Sequence, residues 1–412
     1  MKTSLLSFFI LFISTICLGQ DWIELPNSPV DGTRFDDICF LNEDLGWAAN
    51  GGGGSVWKTT DGGLNWQLQF EDSGYFRNIE FLNENVGFLG TLNNKFYTTT
   101  NGGDDWELVP LDPNVPAICG MDAVGESTIF GVGAYFSPAY LIKSTDGGQT
   151  FTYKDMSEYT DGLVEILMMD EFHGYTSGRG YDGGVILETF DGGDTWTEIF
   201  NTGFAGEYVW KLQVRDEVKI FASVESTMQG KLVKSFDGGN TWETKSFPDN
   251  SVQAVGFISD TRGWMGGHNT GFYETNDGGD TWESLNLGAS LNRFVFLSDN
   301  LIYCAGTKIY KYDMRLGVSE FLNSAAPDDL KVTIAPMPVQ DQLNVLIEFE
   351  HIDNVLIELY DAQGKFIKRL IRDRVNVAQQ KEYSFDFPYA TGTYILDIHT
   401  NYGKRQKTLI KI

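Results

Sequence analysis

Arg34, Arg77, Arg179 and Arg293, together with Tyr75, Tyr135, Tyr181, Tyr208 and Trp210, are the residues of this chain best suited by type to hold a ligand. A guanidinium grips a carboxylate through two parallel hydrogen bonds, and an aromatic face stacks on flat or apolar surfaces and on cations. Gathered on one surface, they would receive an acidic or sugar-like ligand.

Other chemistries find less support. The histidines, at 173, 268, 351 and 399, have no paired spacing, so neither a metal site nor a cofactor is expected. Cys39, Cys119 and Cys304 are widely spaced in apolar strand patterns, which predicts buried thiols rather than a disulfide framework. Hydrolysis by two carboxylates could draw on Glu165 and Asp182. With 57 acidic residues in the chain, however, any such pair is close to arbitrary, and no catalytic residue is assigned.

The elements that must position these side chains announce themselves by repetition. KTTDGGLNW, TTTNGGDDW, KSTDGGQTF, ETFDGGDTW, KSFDGGNTW and ETNDGGDTW place Asp61, Asn101, Asp146, Asp191, Asp237 and Asp277 at intervals of 40, 45, 45, 46 and 40 residues. That period is the length of one four-stranded propeller blade. Each box predicts a hairpin turn between the third and fourth strands. Its Asp bonds backbone N–H groups ahead of it, its glycines take positive φ, and its terminal Trp or Phe covers the turn. The six acidic or amide positions are therefore structural, and Asn101 should cap its turn as Asp does.

After the sixth box, residues 291–313 supply three more strand-like runs without a fourth. DWIEL at residues 21–25 resembles DWELV at 105–109, the strand after the second box. If the N-terminal segment completes the last blade, seven blades close with no open edge between first and last. The ligand face would then be made of the loops entering each inner strand and the loops joining second to third strands.

Both ends of the chain differ from this body. Residues 1–20 carry one Lys, an apolar run and a small-residue end, the pattern of a cleavable signal peptide rather than a membrane span. Ile16 stands where a lipid-attachment signal at Cys17 would want a small residue. The net charge of −27 falls on residues 21–327, which argues against nucleic acid or anionic lipid as partner. After a polar linker at 317–329, residues 330–412 alternate as strands with Gly turns and predict a small immunoglobulin-like β-sandwich. The expected organisation is thus all-β: a seven-bladed propeller over 21–316, a linker and a sandwich.

The boxes resemble the Asp-box, or bacterial neuraminidase repeat, and GW…G…VWKTTDGGLNW resembles the photosystem II assembly and stability factor family of seven-bladed propellers. The C-terminal segments, with Pro336 and Pro338 before a strand, YDAQGK, TGTYIL and the basic end KTLIKI, are similar to the C-terminal sorting domain of the type IX secretion system. In place of that domain's common Tyr-Pro-Asn-Pro stands Ala335-Pro336-Met337-Pro338. The resemblance implies export to the medium or the outer surface, with the type IX machinery as partner of the sandwich and no transmembrane segment in the mature chain. A propeller that binds a protein or glycan without catalysis is the leading expectation. A surface glycoside hydrolase, sialidase-like or xyloglucanase-like, is its rival, although the Arg-Ile-Pro that a sialidase carries near its start is missing.

Overall fold

Short runs of β-branched and aromatic residues, punctuated by Gly, Asn and Asp, become strands because their side chains fit a pleated, half-buried surface and their ends favour turns. The computed structural model describes residues 22–30, 33–111, 113–314, 331–349, 353–362, 366–375, 379–400 and 403–412. The leader expected over 1–20 and the linker over 317–329 lie outside these residues. The chain divides into two units, one of them Trp22–Met314.

Within that unit are seven four-stranded antiparallel sheets. The first runs Phe35–Phe40, Gly46–Asn50, Ser55–Thr59 and Gln67–Glu71, in that order from one edge to the other. Five more sheets keep this order, and their first strands are Phe76–Phe81, Gly120–Val124, Gly162–Met168, Tyr208–Arg215 and Val252–Phe257. In the seventh, Arg293–Ser298 comes first. Each first strand touches the next, and the last touches Phe35–Phe40, so these strands form the inner ring of a propeller. Burial follows the radius: Phe35–Phe40 is buried throughout, whereas Gln67–Glu71 is largely exposed.

Ring closure is made by the N-terminal strand. Trp22–Glu24 is the outer strand of the seventh sheet, with Trp22 opposite Tyr312 and Glu24 opposite Tyr310. The Trp22 indole is buried among Trp264, Phe272, Phe294 and Tyr312, at ring separations of 4.6 to 5.5 Å. A large ring in such edge-on and tilted contacts ties the two ends of the propeller more firmly than three ladder pairs alone would. Aromatic pairs also join neighbouring blades elsewhere. Phe40 stacks on Tyr303 at 3.7 Å, and Trp47 stacks on Phe81 at 3.5 Å. Cys39, Cys119 and Cys304 are buried and free.

The six repeated boxes form the same turn between third and fourth strands. Thr189 Oγ1 donates to Asp191 (2.9 Å) and accepts from Gly193 N (2.9 Å), while Asp191 also accepts from Thr195 N and from its hydroxyl (2.8 and 2.6 Å). Both glycines take positive φ, 71° and 89° in this copy, which a side chain would resist. The second box solves the same problem with the roles exchanged. Asn101 accepts from Asp105 N at 3.0 Å, and its amide donates to the Asp105 carboxylate at 3.0 Å, where the four later copies have a Thr hydroxyl, and the first the Asn65 amide, donating to Asp. Several turns dock on the preceding blade through a glycine carbonyl, which accepts from Trp47 Nε1 at Gly102 (3.0 Å) and from Lys143 Nζ at Gly192 (2.8 Å).

The C-terminal unit, described by itself, has a three-stranded sheet (Val332–Ala335, Gln342–Phe349, Gln379–Asp386) and a four-stranded one. The latter orders Phe366–Val375, Asp353–Asp361, Gly392–Thr400 and Gly403–Lys411. Leu343, Val345 and Ile347 from one sheet and Ile357, Leu359 and Leu396 from the other share a core, which makes the unit a β-sandwich.

Candidate functional site at the channel mouth

A recurrent irregularity of the inner strands builds the site. In five blades the first strand carries one extra residue near its start, and these residues are Asp36, Arg77, Val164, Trp210 and Gln253. Such a β-bulge bends the strand and re-aims a side chain. Four of these five, all except Val164, line one cavity of about 430 Å³.

Loops at the same end of the blades complete its wall. Arg34, Tyr75 and Ser251 precede first strands, and Tyr208 begins one. Leu92, Glu225 and His268 end or follow second strands, and Tyr135 lies in a loop from second to third strand. The box turns, between third and fourth strands, supply no residue to this cavity.

The charged groups here are engaged with one another. Asp36 Oδ1 accepts from Arg34 (2.8 Å), Arg77 (3.1 Å) and the Asn292 amide (2.8 Å). Arg77, only 4% exposed, holds its guanidinium 5.4 Å from the Trp210 ring. Tyr208 and Trp210 are stacked at 5.4 Å, and the Tyr208 hydroxyl donates to the Tyr135 carbonyl at 2.8 Å. Arg34 Nη1 (3.0 Å) and the Gln253 amide (2.8 Å) both approach His268 Nε2. Burial and then the neighbouring Arg34 push the His268 pKa down to about 4, so the ring is neutral at pH 7 and serves as acceptor. Burial raises the Glu225 carboxyl above its ordinary range, and burial and then Asp36 raise the Tyr75 phenol.

Directly beyond the bulges, the next residues along the inner strands meet in a buried ion cluster. Glu165 bonds Lys211 (2.5 Å) and Arg293 (2.8 and 3.0 Å), and Arg293 also pairs with Asp37. Burial, then the nearby Arg293, lowers the Lys211 pKa to about 8, and burial raises that of Asp37. On the far side of Arg293 a second cavity of about 460 Å³ opens, with Arg215 paired to Asp299 at 2.6 Å on its wall.

The residues singled out in the sequence therefore separate. Arg34, Arg77, Tyr135 and Trp210 come together at the mouth, with Tyr75 and Tyr208. Arg179 stands one layer behind: it pairs with Asp161 and lies 5.1 Å from the Tyr208 ring. Tyr181 is 66% exposed, away from the cavity, and donates to the Ser157 carbonyl at 2.6 Å. Arg293 is inside the channel rather than on its rim. Glu165 is buried in the ion cluster, whereas Asp182 is exposed and accepts from the Asn201 amide at 2.8 Å. Asp36, Glu225, Gln253 and His268 were not singled out. An apolar-x-polar-apolar start with the bulge second opens three inner strands, FDDI, FRNI and VWKL, but it marks a place on the strand rather than a ligand group, and Glu225, Gln253 and His268 lie outside it.

These features define a class, a seven-bladed β-propeller exported with a cleft at one channel mouth and a C-terminal sorting domain. Residues 333–412 match the family model described as the secretion system C-terminal sorting domain, and this type IX domain directs the chain to secretion or the outer cell surface. The propeller is similar to the photosystem II assembly lipoprotein Ycf48 of Synechococcus sp. (strain CC9902), 26% identical over 293 residues, 64% of this chain and 80% of that protein. Among solved structures, YCF48 bound to D1 peptide is 19% identical with a TM-score of 0.56, covering 72% of this chain and 97% of the other. The Niastella koreensis GH74 enzyme is 12% identical with a TM-score of 0.51, covering 95% and 75%. Likenesses at these identities establish the fold. Among the described residues no helix is long and apolar enough to cross a membrane.

Proposed function

We propose that this chain is a secreted or surface-attached propeller that binds a protein or glycan at the bulge-lined channel mouth without turning it over. One observation carries the reading: side chains from distant parts of the chain converge on a cavity walled by Tyr75, Tyr135, Tyr208 and Trp210. Aromatic walls with a few convergent polar groups are the usual make-up of a ligand site. A propeller of similar fold is bound to a peptide, which lends support to binding as the activity.

A glycan hydrolase is the second reading, favoured by two carboxylates in the same cavity, Asp36 and Glu225, the latter with a raised pKa suited to a proton donor. Against it, three donors hold one oxygen of Asp36 as a fixed acceptor, which suits scaffolding better than proton exchange. Incubating the exported chain with a panel of polysaccharides, and measuring both retention on the polymer and new reducing ends, tests the choice. Retention without new reducing ends is expected. Turnover that Glu225→Gln abolishes would establish the hydrolase instead.

A further inference from the structure

Resting on the channel-mouth reading above, we infer that the unit recognised there is a neutral sugar residue of a glycan rather than an acidic group. The residue types alone favour an anion, since arginines gather at the mouth. The geometry reverses that preference, because each arginine is already answered by a carboxylate. Arg34 and Arg77 share Asp36, Arg179 holds Asp161, and Arg293 holds Asp37 and Glu165. Within the cavity two guanidinium charges face two carboxylates, Asp36 and Glu225, and His268 is neutral. An incoming anion would meet no uncompensated cation and would stand beside two negative groups.

The unmet hydrogen-bonding groups point the same way. Arg77 Nη2 is a buried donor without a partner, and Gln253 Oε1 is a buried acceptor without one. Asp36 Oδ2 has the Tyr75 phenol beside it but no hydrogen bond of good geometry. Donor and acceptor demands thus lie side by side. A carboxylate or sulfate can only accept, whereas each hydroxyl of a sugar both donates and accepts, which suits a wall where donor and acceptor groups alternate. The stacked Tyr208 and Trp210 rings supply an apolar wall for the C–H face of a pyranose, and a cavity of about 430 Å³ suits one or two rings rather than an extended segment.

The test exposes the full exported chain to a printed array of neutral and uronic or sialylated glycans and, in parallel, to an array of peptides with acidic or neutral ends. Neutral glycans should be retained at least about tenfold more strongly than their acidic counterparts, and Trp210→Ala should lower that signal by about tenfold. Tyr135→Ala, at a more exposed position, provides the same readout if Trp210→Ala folds poorly. Preferred retention of acidic glycans overturns the inference, as does retention of peptides alone; in both cases loss of signal in Trp210→Ala leaves the channel-mouth reading standing. Neutral glycans retained equally by wild type and both variants would instead remove the mouth as the site.

Discussion

The six box turns and the inner strands occupy equivalent places in successive blades, yet one set is nearly identical in sequence and the other is not. A turn solves a local problem: Asp191 and Asp237 each bond a Thr four residues on, through nearly the same distances. The inner strands solve a joint one. At equivalent post-bulge positions stand Asp37, Asn78, Glu165, Lys211 and Ala254, and three of these form an ion cluster only because their neighbours around the ring differ. Repetition therefore marks what each blade needs for itself. Divergence at a repeated position marks what the ring as a whole builds on its axis.

The largest effect separating these regions from the rest of the molecule is expected at ring closure. Trp22→Ala removes a fully buried indole and loosens the strand that joins first and last blades, so it should cost about 3–5 kcal/mol in denaturant titrations of the exported chain. An unchanged midpoint would mean that the N-terminal strand does not close the ring. Next comes the ion cluster. Glu165→Gln leaves Lys211 and Arg293 buried with a weaker partner and should cost about 3 kcal/mol. Glu165→Leu combined with Lys211→Met should cost less than the sum of the two single changes, and full additivity would show that the charges do not act as a unit.

Acidity offers a smaller contrast, with opposite signs in the two regions. Asp122, on an inner strand, is pushed up to about 7 by burial, so its contribution to stability is present at pH 4 and lost as pH rises toward 7. In the turns, Asp146 and Asp277 are held down at about 2 by the hydroxyls of Thr150 and Thr281. Their contribution is present above about pH 4 and lost as pH falls toward 2. Melting-point profiles of Asp122→Asn and Asp277→Asn against wild type should therefore diverge in separate windows, roughly pH 4–7 and pH 2–4. Divergence of both in one window would contradict the assignment.

Much of the scaffold is legible in the sequence itself. The boxes repeat because every blade closes the same hairpin, and DWIEL announced the closing strand because it copies the strand that follows a box. The C-terminal sheets were visible in their alternation. The site was less legible. Arg77 and Arg293 read as exposed ligand groups, but Arg77 is buried against Trp210 and Arg293 lies in the ion cluster, because bulges and ring closure, rather than residue type, decide where a side chain on an inner strand points. Asp36 and Glu225 could not be picked out from so many acidic neighbours. Only the crossing of distant strands selects them, as when Asn292 bonds Asp36 across the seam between the first and last blades.

The most direct measurement compares Tyr135→Ala with Asp237→Ala, using the array glycan that the wild-type chain retains most strongly. Tyr135→Ala should raise Kd about tenfold and leave the melting point unchanged, since an exposed loop ring carries little folding energy. Asp237→Ala should lower the melting point slightly, by roughly a degree or two, and leave Kd unchanged in the folded fraction. A Kd lost in Asp237→Ala and kept in Tyr135→Ala would place the function on the turns and contradict the channel mouth as the site.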